Sequence, residues 1–129
     1  MKITQQPQEG ANLIRRYGPD FILVGERELR ESVIVSATTL TPWPPRSVDE
    51  LTAEHLPVLF ALAPEIVVLA TGATQKFPRA ALRAEFATRR IGLEVMEIGA
   101  ACRTYNVLVG EERKVLAAVL LPGPVKGSE

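Results

Sequence analysis

The sequence has one cysteine, Cys102, and one histidine, His55. A single cysteine excludes an internal disulfide, which is typical of a protein from a reducing compartment. A single histidine excludes zinc sites of the His-Glu-x-x-His type, which need two histidines on one helix face. The two residues are also far apart in the chain, which makes them a weak candidate for a nucleophile–base pair. We therefore expect no metal site.

The chain also lacks an excess of charge and a long apolar run. Its 15 basic and 15 acidic residues give no formal net charge, whereas binding to nucleic acid or to an anionic membrane usually requires a basic excess. No apolar run approaches the ~20 residues that span a bilayer. Residues 1–6 show neither an apolar signal region nor an arginine-rich presequence. These features predict a bacterial cytoplasmic protein that binds no nucleic acid and does not insert into a membrane.

The glycines lack the spacing of known nucleotide-binding loops. Neither the Gly-x-x-x-x-Gly-Lys-Ser/Thr spacing of a P-loop nor the Gly-x-Gly-x-x-Gly of a dinucleotide site occurs. No nucleophile lies beside a general base, and no cluster has the spacing of metal ligands. We therefore predict no catalytic residue and no cofactor.

What the sequence does contain suits one domain with one core. The chain has 129 residues, of which 47% are hydrophobic, as expected for a single globular domain. We predict one domain over residues 1–129, with loosely ordered termini at 1–11 and 123–129.

The first third of the chain predicts short antiparallel strands, because short apolar runs alternate with close turns. The predicted strands are Leu13–Tyr17, Phe21–Val24 and Val33–Ser36. The proline-rich stretch Thr41–Pro45 is unsuited to a helix or a central strand. Ser47 and Glu50 have the spacing of a capping box, which predicts a short turn followed by a helix that ends near Leu62.

The second half predicts a β-α-β-α-β unit. A fully apolar strand covers Ile66–Ala70, and Pro78 is expected as the first residue of a helix that runs to about Arg90. Gly92 is expected to end that helix. The remaining elements are a strand at Leu93–Met96, a helix whose inner face carries Ala101, Tyr105 and Leu108, and a strand at Lys114–Leu121.

Several segments in this half carry a family resemblance, and the run Ala100–Asn106, with its Arg-Thr-Tyr-Asn sequence, is the most specific of them. The others are Glu94–Glu97, Val115–Ala118 and Pro64–Gly72, with looser matches at Ser36 and Trp43. In these segments the chain resembles a small α/β family of largely unknown function. That family includes bacterial proteins of this size and a mitochondrial assembly factor for respiratory complex I.

The resemblance implies a fold and a set of pocket residues. It implies three layers around a mixed central sheet, so the predicted fold class is α/β, with antiparallel N-terminal strands followed by the β-α-β-α-β unit. It also makes Ser36 and Trp43 structural or pocket-lining candidates. Ala70 and Ile98 depart from the family pattern, in which Gly and Thr are usual. Both lie in the implied pocket and make it less polar.

The most probable place for a ligand is the edge where the parallel strands end, because ligands of open α/β sheets bind there. The loop Thr71–Lys76, the turn Glu97–Gly99 and the start of the Arg103 helix should converge at this edge. Thr71 and Gly72 precede a helix N-terminus, which attracts anions. The alternative is a plain tight turn in which Gly72 supplies a positive φ.

Arg103 and Asn106 are the candidates for contact with such an anion. A guanidinium presents a rigid fork of donors for a carboxylate or phosphate, and Asn106 could supply a second donor. The alternative for Arg103 is a structural ion pair with Glu97 or Glu94. The alternative for Asn106 is a bond from its side chain to the backbone of a loop.

Three further residues have a structural and a functional interpretation. Tyr105 is expected to pack in the core with its hydroxyl paired, rather than to act as a catalytic phenol. Cys102 is either a small buried residue or a thiol activated near a helix start. Trp43 either covers the sheet or anchors a partner.

These observations support two functional hypotheses. The first is a non-catalytic binding or assembly module for another protein, which the resemblance links to respiratory-complex assembly. The alternative is a protein that binds a small anion or carboxylate, or an enzyme, that uses the pocket at the strand ends.

Overall fold

The computed structural model of the protein describes residues 10–123. Residues 1–9 and 124–129, which include most of the two termini predicted to be loosely ordered, lie outside the described residues. The strands within the described range are β1 (Ile14–Gly18), β2 (Phe21–Val24), β3 (Arg27–Leu29), β4 (Glu31–Val35), β5 (Leu40–Pro42), β6 (Ile66–Ala70), β7 (Gly92–Met96) and β8 (Val115–Pro122). The helices in this range are α1 (Pro57–Ala61), α2 (Ala80–Thr88) and α3 (Ile98–Gly110), with 3-10 turns at Val48–Glu50 and Ala53–His55.

The strands form two sheets. A small antiparallel sheet has the order β1-β2-β3, and a central sheet has the order β5-β4-β8-β6-β7. In the central sheet, β6 pairs in parallel with both β7 and β8, while β4 is antiparallel to β8 and β5. The predicted fold class is confirmed: antiparallel N-terminal strands precede a β6-α2-β7-α3-β8 unit around a mixed sheet.

The central sheet is covered on both faces, which gives the three predicted layers. Val68 and Ala70 of β6 face a core shared with the small sheet and α3. Val67 and Leu69 face a second core shared with α1, α2 and the 3-10 turns. Successive side chains of a strand point to opposite faces, so a strand covered on both faces must be apolar throughout. The continuous apolar runs of β6 and β8 are explained by this double burial.

Two short strands were not predicted from the sequence. Only two residues separate β2 from β3, which begins at Arg27. The proline-rich stretch contains β5, which lies at the edge of the central sheet. Proline has no N–H to donate to a neighbouring strand. It is tolerated in an edge strand, where one side of the strand faces solvent and needs no such donor. The expectation that this stretch is not a central strand is therefore confirmed.

The limits of α2 differ from the predicted ones. The helix begins at Ala80, two residues after Pro78, and ends at Thr88. Arg90, with a φ of 60°, supplies the left-handed residue after the helix. Gly92 is instead the first residue of β7, and its N–H donates to the Glu65 carbonyl at 2.9 Å. The prediction that Gly92 ends the helix was wrong.

The predicted capping box at Ser47 does not form. The Ser47 side chain caps nothing, and the turn that follows is a 3-10 turn at Val48–Glu50. The Glu50 carboxylate accepts from the Arg46 N–H at 2.9 Å. A second 3-10 turn and α1 then carry the chain to Ala61, close to the predicted end of the helical segment.

Ser32 is a buried polar residue in a central-sheet irregularity. The pairing of β4 with β8 shifts register between Glu31 and Val33, which is the pattern of a β-bulge. The Ser32 hydroxyl accepts from the Leu121 N–H at 2.8 Å and donates to the Leu121 carbonyl at 3.2 Å. One side chain therefore satisfies two backbone groups that the ladder leaves unpaired, as buried polar groups require.

Among residues 10–123, the helices are all too short or too polar to cross a membrane.

Candidate functional site

Helix α3 carries the most specific sequence motif, and its polar side chains bind the N-terminal segment of residues 12–17. The Arg103 guanidinium donates to the Tyr17 hydroxyl at 2.6 Å. The Tyr105 hydroxyl donates to the Asn12 carbonyl at 2.6 Å. We call this set of contacts between α3 and residues 12–17 the α3–β1 joint. It attaches the small sheet to the rest of the molecule.

Asn106 makes the most complete contact of the joint. Its Nδ2 donates to the Ile14 carbonyl at 2.8 Å, and its Oδ1 accepts from the Ile14 N–H at 2.9 Å. The pairing of β1 with β2 shifts register between Ile14 and Arg16. The Asn106 amide thus takes the place of a neighbouring strand for the residue at which the ladder is irregular. Both ends of this amide are engaged with the protein backbone.

Arg103 lies at the surface of the joint. Its side chain is 64% exposed, and its Nη2 lies 4.0 Å from the nearer oxygen of Glu97. Gly99 provides the space for this contact, because a Cβ at that position would lie 3.0 Å from the Tyr17 ring and 3.2 Å from Arg103 Nη1. The guanidinium is therefore oriented by a hydroxyl and a distant carboxylate while other donors face solvent.

Glu97 occupies the N-terminus of α3. Its two carboxylate oxygens accept from the Gly99 N–H at 2.7 Å and the Ala100 N–H at 2.8 Å. These hydrogen bonds, that from Ala100 first, hold the pKa of Glu97 below its ordinary value. The free N–H groups of a helix start are the groups that would bind an anion. In α3 the chain's own carboxylate already binds them.

The loop Thr71–Lys76 meets the start of α3, as the sequence predicted. The Ile98 N–H donates to the Gly72 carbonyl at 2.8 Å, and Gly72 has a φ of +95°. The Thr71 hydroxyl lies 2.7 Å from the Thr74 carbonyl and accepts from the Lys76 N–H at 3.1 Å. The positive φ of Gly72 is confirmed, and the Thr71 hydroxyl binds other groups of the loop.

Tyr105 and Cys102 lie on the inner face of α3. Both are buried, and burial raises the pKa of each. For Cys102 the pKa is raised to about 12 by desolvation first and then by the charge of Glu97, against an opposing effect of Arg103. Cys102 lies in the second turn of the helix, not the first, so the N-terminal N–H groups do not reach it. Its thiol is therefore protonated at neutral pH.

Trp43 and Ser36 lie in different parts of the molecule. Trp43 is buried against the second face of the central sheet, and its Nε1 donates to the His55 carbonyl at 3.0 Å. The Ser36 hydroxyl accepts from the Thr38 N–H at 3.2 Å in the loop between β4 and β5. Within residues 10–123, neither side chain hydrogen-bonds to the α3–β1 joint, although the Ser36 carbonyl accepts from the Asn12 side chain at 3.1 Å.

Asn12 was not among the site residues predicted from the sequence, although it links two parts of the fold. Its Nδ2 donates to the carbonyls of Ser36 at 3.1 Å and Thr39 at 3.2 Å, and its N–H donates to the Ala37 carbonyl at 3.0 Å. Its own carbonyl accepts from Tyr105. A polar residue at the start of an apolar run gives no sign of such distant partners.

Within residues 10–123, no three His, Cys, Asp or Glu side chains are placed to hold a metal ion.

Comparison with known proteins gives a family match across most of the chain. The model of the family described as "Protein of unknown function (DUF498/DUF598)" matches residues 14–120. This span includes every strand and helix described above except the last residues of β8. It also includes the whole of α3 and the contact of Asn106 with Ile14.

Individual relatives extend over almost the whole chain. A Danio rerio protein named NADH dehydrogenase [ubiquinone] 1 alpha subcomplex assembly factor 3 is 29% identical over 126 residues, which cover 96% of this chain and 72% of the relative. A Francisella tularensis protein named 13 kDa major membrane protein is 24% identical over 122 residues, covering 93% and 99%. An NMR structure of a Xanthomonas campestris protein superposes with a TM-score of 0.83 at 35% identity, covering 97% of this chain and 96% of that one.

Proposed function

The chain belongs to the family of proteins of unknown function DUF498/DUF598, and on that premise we propose that it is a non-catalytic module that binds another protein during the assembly of a larger complex. The observation that carries this proposal is the use of the polar side chains in the family's most specific motif. They hold the chain's own N-terminal segment instead of lining an open cavity.

The contacts of Tyr105 and Asn106 support a structural use of that motif. A catalytic phenol or amide must reach a substrate with at least one free polar atom. The Tyr105 hydroxyl is buried and bound to a carbonyl, and both polar atoms of the Asn106 amide are bound to Ile14. These residues stabilise a shape, which is what a binding module requires of its core motif.

The name of one relative supports a protein as the partner. The Danio rerio relative is named as an assembly factor. We extend that role to this chain as a proposal. Two large apolar side chains, Phe77 and Val107, are 59% and 58% exposed, and exposed aromatic and aliphatic groups are typical anchors of protein interfaces.

The test is whether the chain forms a stoichiometric complex that depends on its surface. The tagged chain would be purified from its native cells at low expression, and its complexes separated by size and identified by mass spectrometry. The variants are Phe77→Ser and Val107→Ser, with Thr88→Ser, an exposed polar site, as the control. Thermal midpoints equal to that of the wild type would establish that each variant is folded.

We expect a defined partner to copurify with the wild type and the control, and one of the two apolar variants to lose it. A chain that migrates only as the free protein would contradict the proposal. A complex that both apolar variants retain would contradict the part played by these side chains.

The alternative function, binding of a small anion or carboxylate at the carboxyl ends of β6 and β7, depends on Arg103. Its exposed guanidinium retains donors that face solvent. Against this alternative, Glu97 already binds the N–H groups of the helix start. Of the four candidates for ligand contact, Thr71, Gly72, Arg103 and Asn106, this alternative depends most on Arg103, because both polar atoms of Asn106 already bind Ile14.

We also propose a cytoplasmic location and no contact with nucleic acid. The single cysteine supports the location, and the balance of 15 basic and 15 acidic residues supports the absence of nucleic-acid binding. Fractionation of native cells, with a carbonate wash of the membranes, would check the location. Recovery of the chain in the washed membrane fraction would contradict it.

A further inference from the structure

A cleft opens at the end of the central sheet opposite to the Thr71 loop, where β6 and β8 begin. It has a volume of about 220 Å³. Three chain segments form it: the loop between β4 and β5, the approach to β6, and the residues that lead into β8. Its lining includes Ser36, Thr38, Thr39, Pro64, Arg113 and Lys114.

The hydroxyl-bearing wall of the cleft is held in a fixed shape. Asn12 makes three hydrogen bonds to the carbonyls of residues 36, 37 and 39, and the Ser36 N–H donates to the Thr39 carbonyl at 2.9 Å. Tyr105 in turn fixes Asn12 through its hydroxyl. The core side chain of the family motif therefore orders a loop that lies far from it in the chain. An ordered wall lowers the entropy lost when a ligand binds.

Some polar side chains of the cleft bind no other residue of the range 10–123. Within residues 10–123, the hydroxyls of Thr38 and Thr39 have no hydrogen-bond partner, and Lys114 forms no ion pair. Arg113 differs, because its Nε donates to the Glu65 carboxylate at 2.9 Å. The Glu65 charge is thus directed at Arg113, and the uncompensated charge of the cleft is the Lys114 ammonium.

The floor of the cleft is apolar. It is formed by Leu62, which is 37% exposed, and by Pro64. The volume is below the ~300–1,000 Å³ typical of pockets for drug-sized ligands. The cleft therefore suits a molecule of few atoms that combines a charged head with a short apolar body.

We propose that this cleft binds a small carboxylate with a short aliphatic body. The ammonium of Lys114 and the hydroxyls of Thr38 and Thr39 bind the carboxylate, and the body lies on Leu62 and Pro64. A charged donor and two neutral ones suit a single carboxylate, which accepts several hydrogen bonds through its two oxygens.

The experiment is an NMR titration of the full ¹⁵N-labelled chain with sodium butanoate. Butanamide has the same body without the charge, and sodium phosphate has the charge without the body. All titrations would be made at one ionic strength. We expect saturable shifts with butanoate that are confined to residues 36–39 and 113–116, and weaker or linear responses with the two other probes.

The matched variants are Lys114→Gln and Lys76→Gln. Lys76 is an exposed lysine at the opposite end of the sheet, where it pairs with Asp49 at 3.0 Å. Loss of a charged hydrogen-bond donor should weaken butanoate binding about tenfold or more in Lys114→Gln. The affinity of Lys76→Gln should equal that of the wild type.

Three results would overturn the proposal: no saturable shift at residues 36–39, an equal response to butanamide, or an equal loss of affinity in both lysine variants. A tighter response to phosphate than to butanoate would overturn the assignment of an aliphatic body. The outcome is independent of the protein-binding proposal, since that one is tested by copurification and by variants on other surfaces.

Discussion

The two ends of the parallel strands use their polar groups in different ways. At the carboxyl ends, the Thr71 hydroxyl bonds within its own loop and the Glu97 carboxylate caps α3. At the amino ends, Asn12 orders a loop whose threonine hydroxyls have no partner within residues 10–123, and Lys114 is an unpaired cation in the same range.

The position of a crevice and the binding of a ligand in it are two separate questions, and the topology of the sheet answers only the first. The crevice beyond the carboxyl ends of parallel strands follows from the way the connections leave the sheet. Whether a ligand binds in it depends on donors and acceptors that the protein leaves unused. At Glu97 the chain satisfies its own helix start. Removal of a side chain that bonds within the protein should lower the free energy of unfolding. Removal of a side chain without such bonds should leave it unchanged.

The largest effect is expected for Asn106→Ala, which breaks the α3–β1 joint. The Ile14 N–H and carbonyl would both lose their partner in a partly buried place. At about 1–3 kcal/mol for each of the two unpaired groups, the free energy of unfolding should fall by about 2–6 kcal/mol. Urea denaturation followed by circular dichroism would measure it.

The control for this prediction is Val107→Ala at the next position of the same helix. Its side chain is mostly exposed, so the change should stay within about 0.5 kcal/mol. Equal and small effects in both variants would mean that water replaces the Asn106 contacts at no cost, and that the joint is not a source of stability.

Gly72→Ala is expected to have an intermediate effect. A Cβ at Gly72 would meet no atom within 4 Å, so the cost comes only from the φ of +95°. We expect a loss of about 1 kcal/mol or more. Gly110→Ala is the matched control, because a Cβ there also meets nothing and its φ is not positive. It should be neutral or stabilising by up to about 1 kcal/mol.

If Gly72→Ala left the stability unchanged, the loop would have to relax without cost. The Thr71–Lys76 loop at the carboxyl end of the sheet would then not be held in one conformation. The contrast between the two ends of the sheet would not apply at Gly72.

The elements that could be predicted from sequence are those specified by local pattern. β2 and β6 have the predicted bounds, because an apolar run of four or five residues between turn residues has the length of a strand and is too short for a typical helix. The i, i+4 ion pair of Glu85 with Arg89, at 2.8 Å, is also of a kind that a local pattern specifies, because its geometry follows from the helix period. The three-residue strands β3 and β5 are too short and too polar to produce such a pattern.

The site depends on contacts that no local pattern encodes. Asn106 and Ile14 are 92 positions apart in the chain, and Asn12 and Thr39 are 27 apart. The residue type was informative, because the sequence offered a side-chain-to-backbone bond as one interpretation of Asn106. The partner of this bond could not be predicted, since only the fold brings the two segments together. Lys114 was predicted as a strand residue and not as part of a cleft for the same reason.

The smallest effect is expected for Arg103→Ala, at which the two interpretations of the carboxyl end differ most. The side chain is largely exposed and lies 4.0 Å from Glu97, so its loss should cost about 1 kcal/mol or less. The sequence offered a structural ion pair with Glu97 or Glu94 as one interpretation, and the loss of one partner of such a pair would cost about 3–5 kcal/mol if the pair were buried. The exposure of both partners excludes an effect of that size.

The stability of Arg103→Ala must be compared with that of the wild type in sodium sulfate and in sodium chloride of equal ionic strength. Sulfate stabilises folded proteins in general by exclusion from their surface, and this part is the same in both chains. If Glu97 already satisfies the start of α3, the additional stabilisation by sulfate should be equal in wild type, Arg103→Ala and the charge-conserving Arg103→Lys. A sulfate effect that disappears in Arg103→Ala and falls in Arg103→Lys would instead establish an anion site at Arg103, because only the guanidinium offers the rigid pair of donors. The carboxyl end of the sheet would then bind an anion as well. The two ends would differ in the ligand that each binds, and not in whether they bind one.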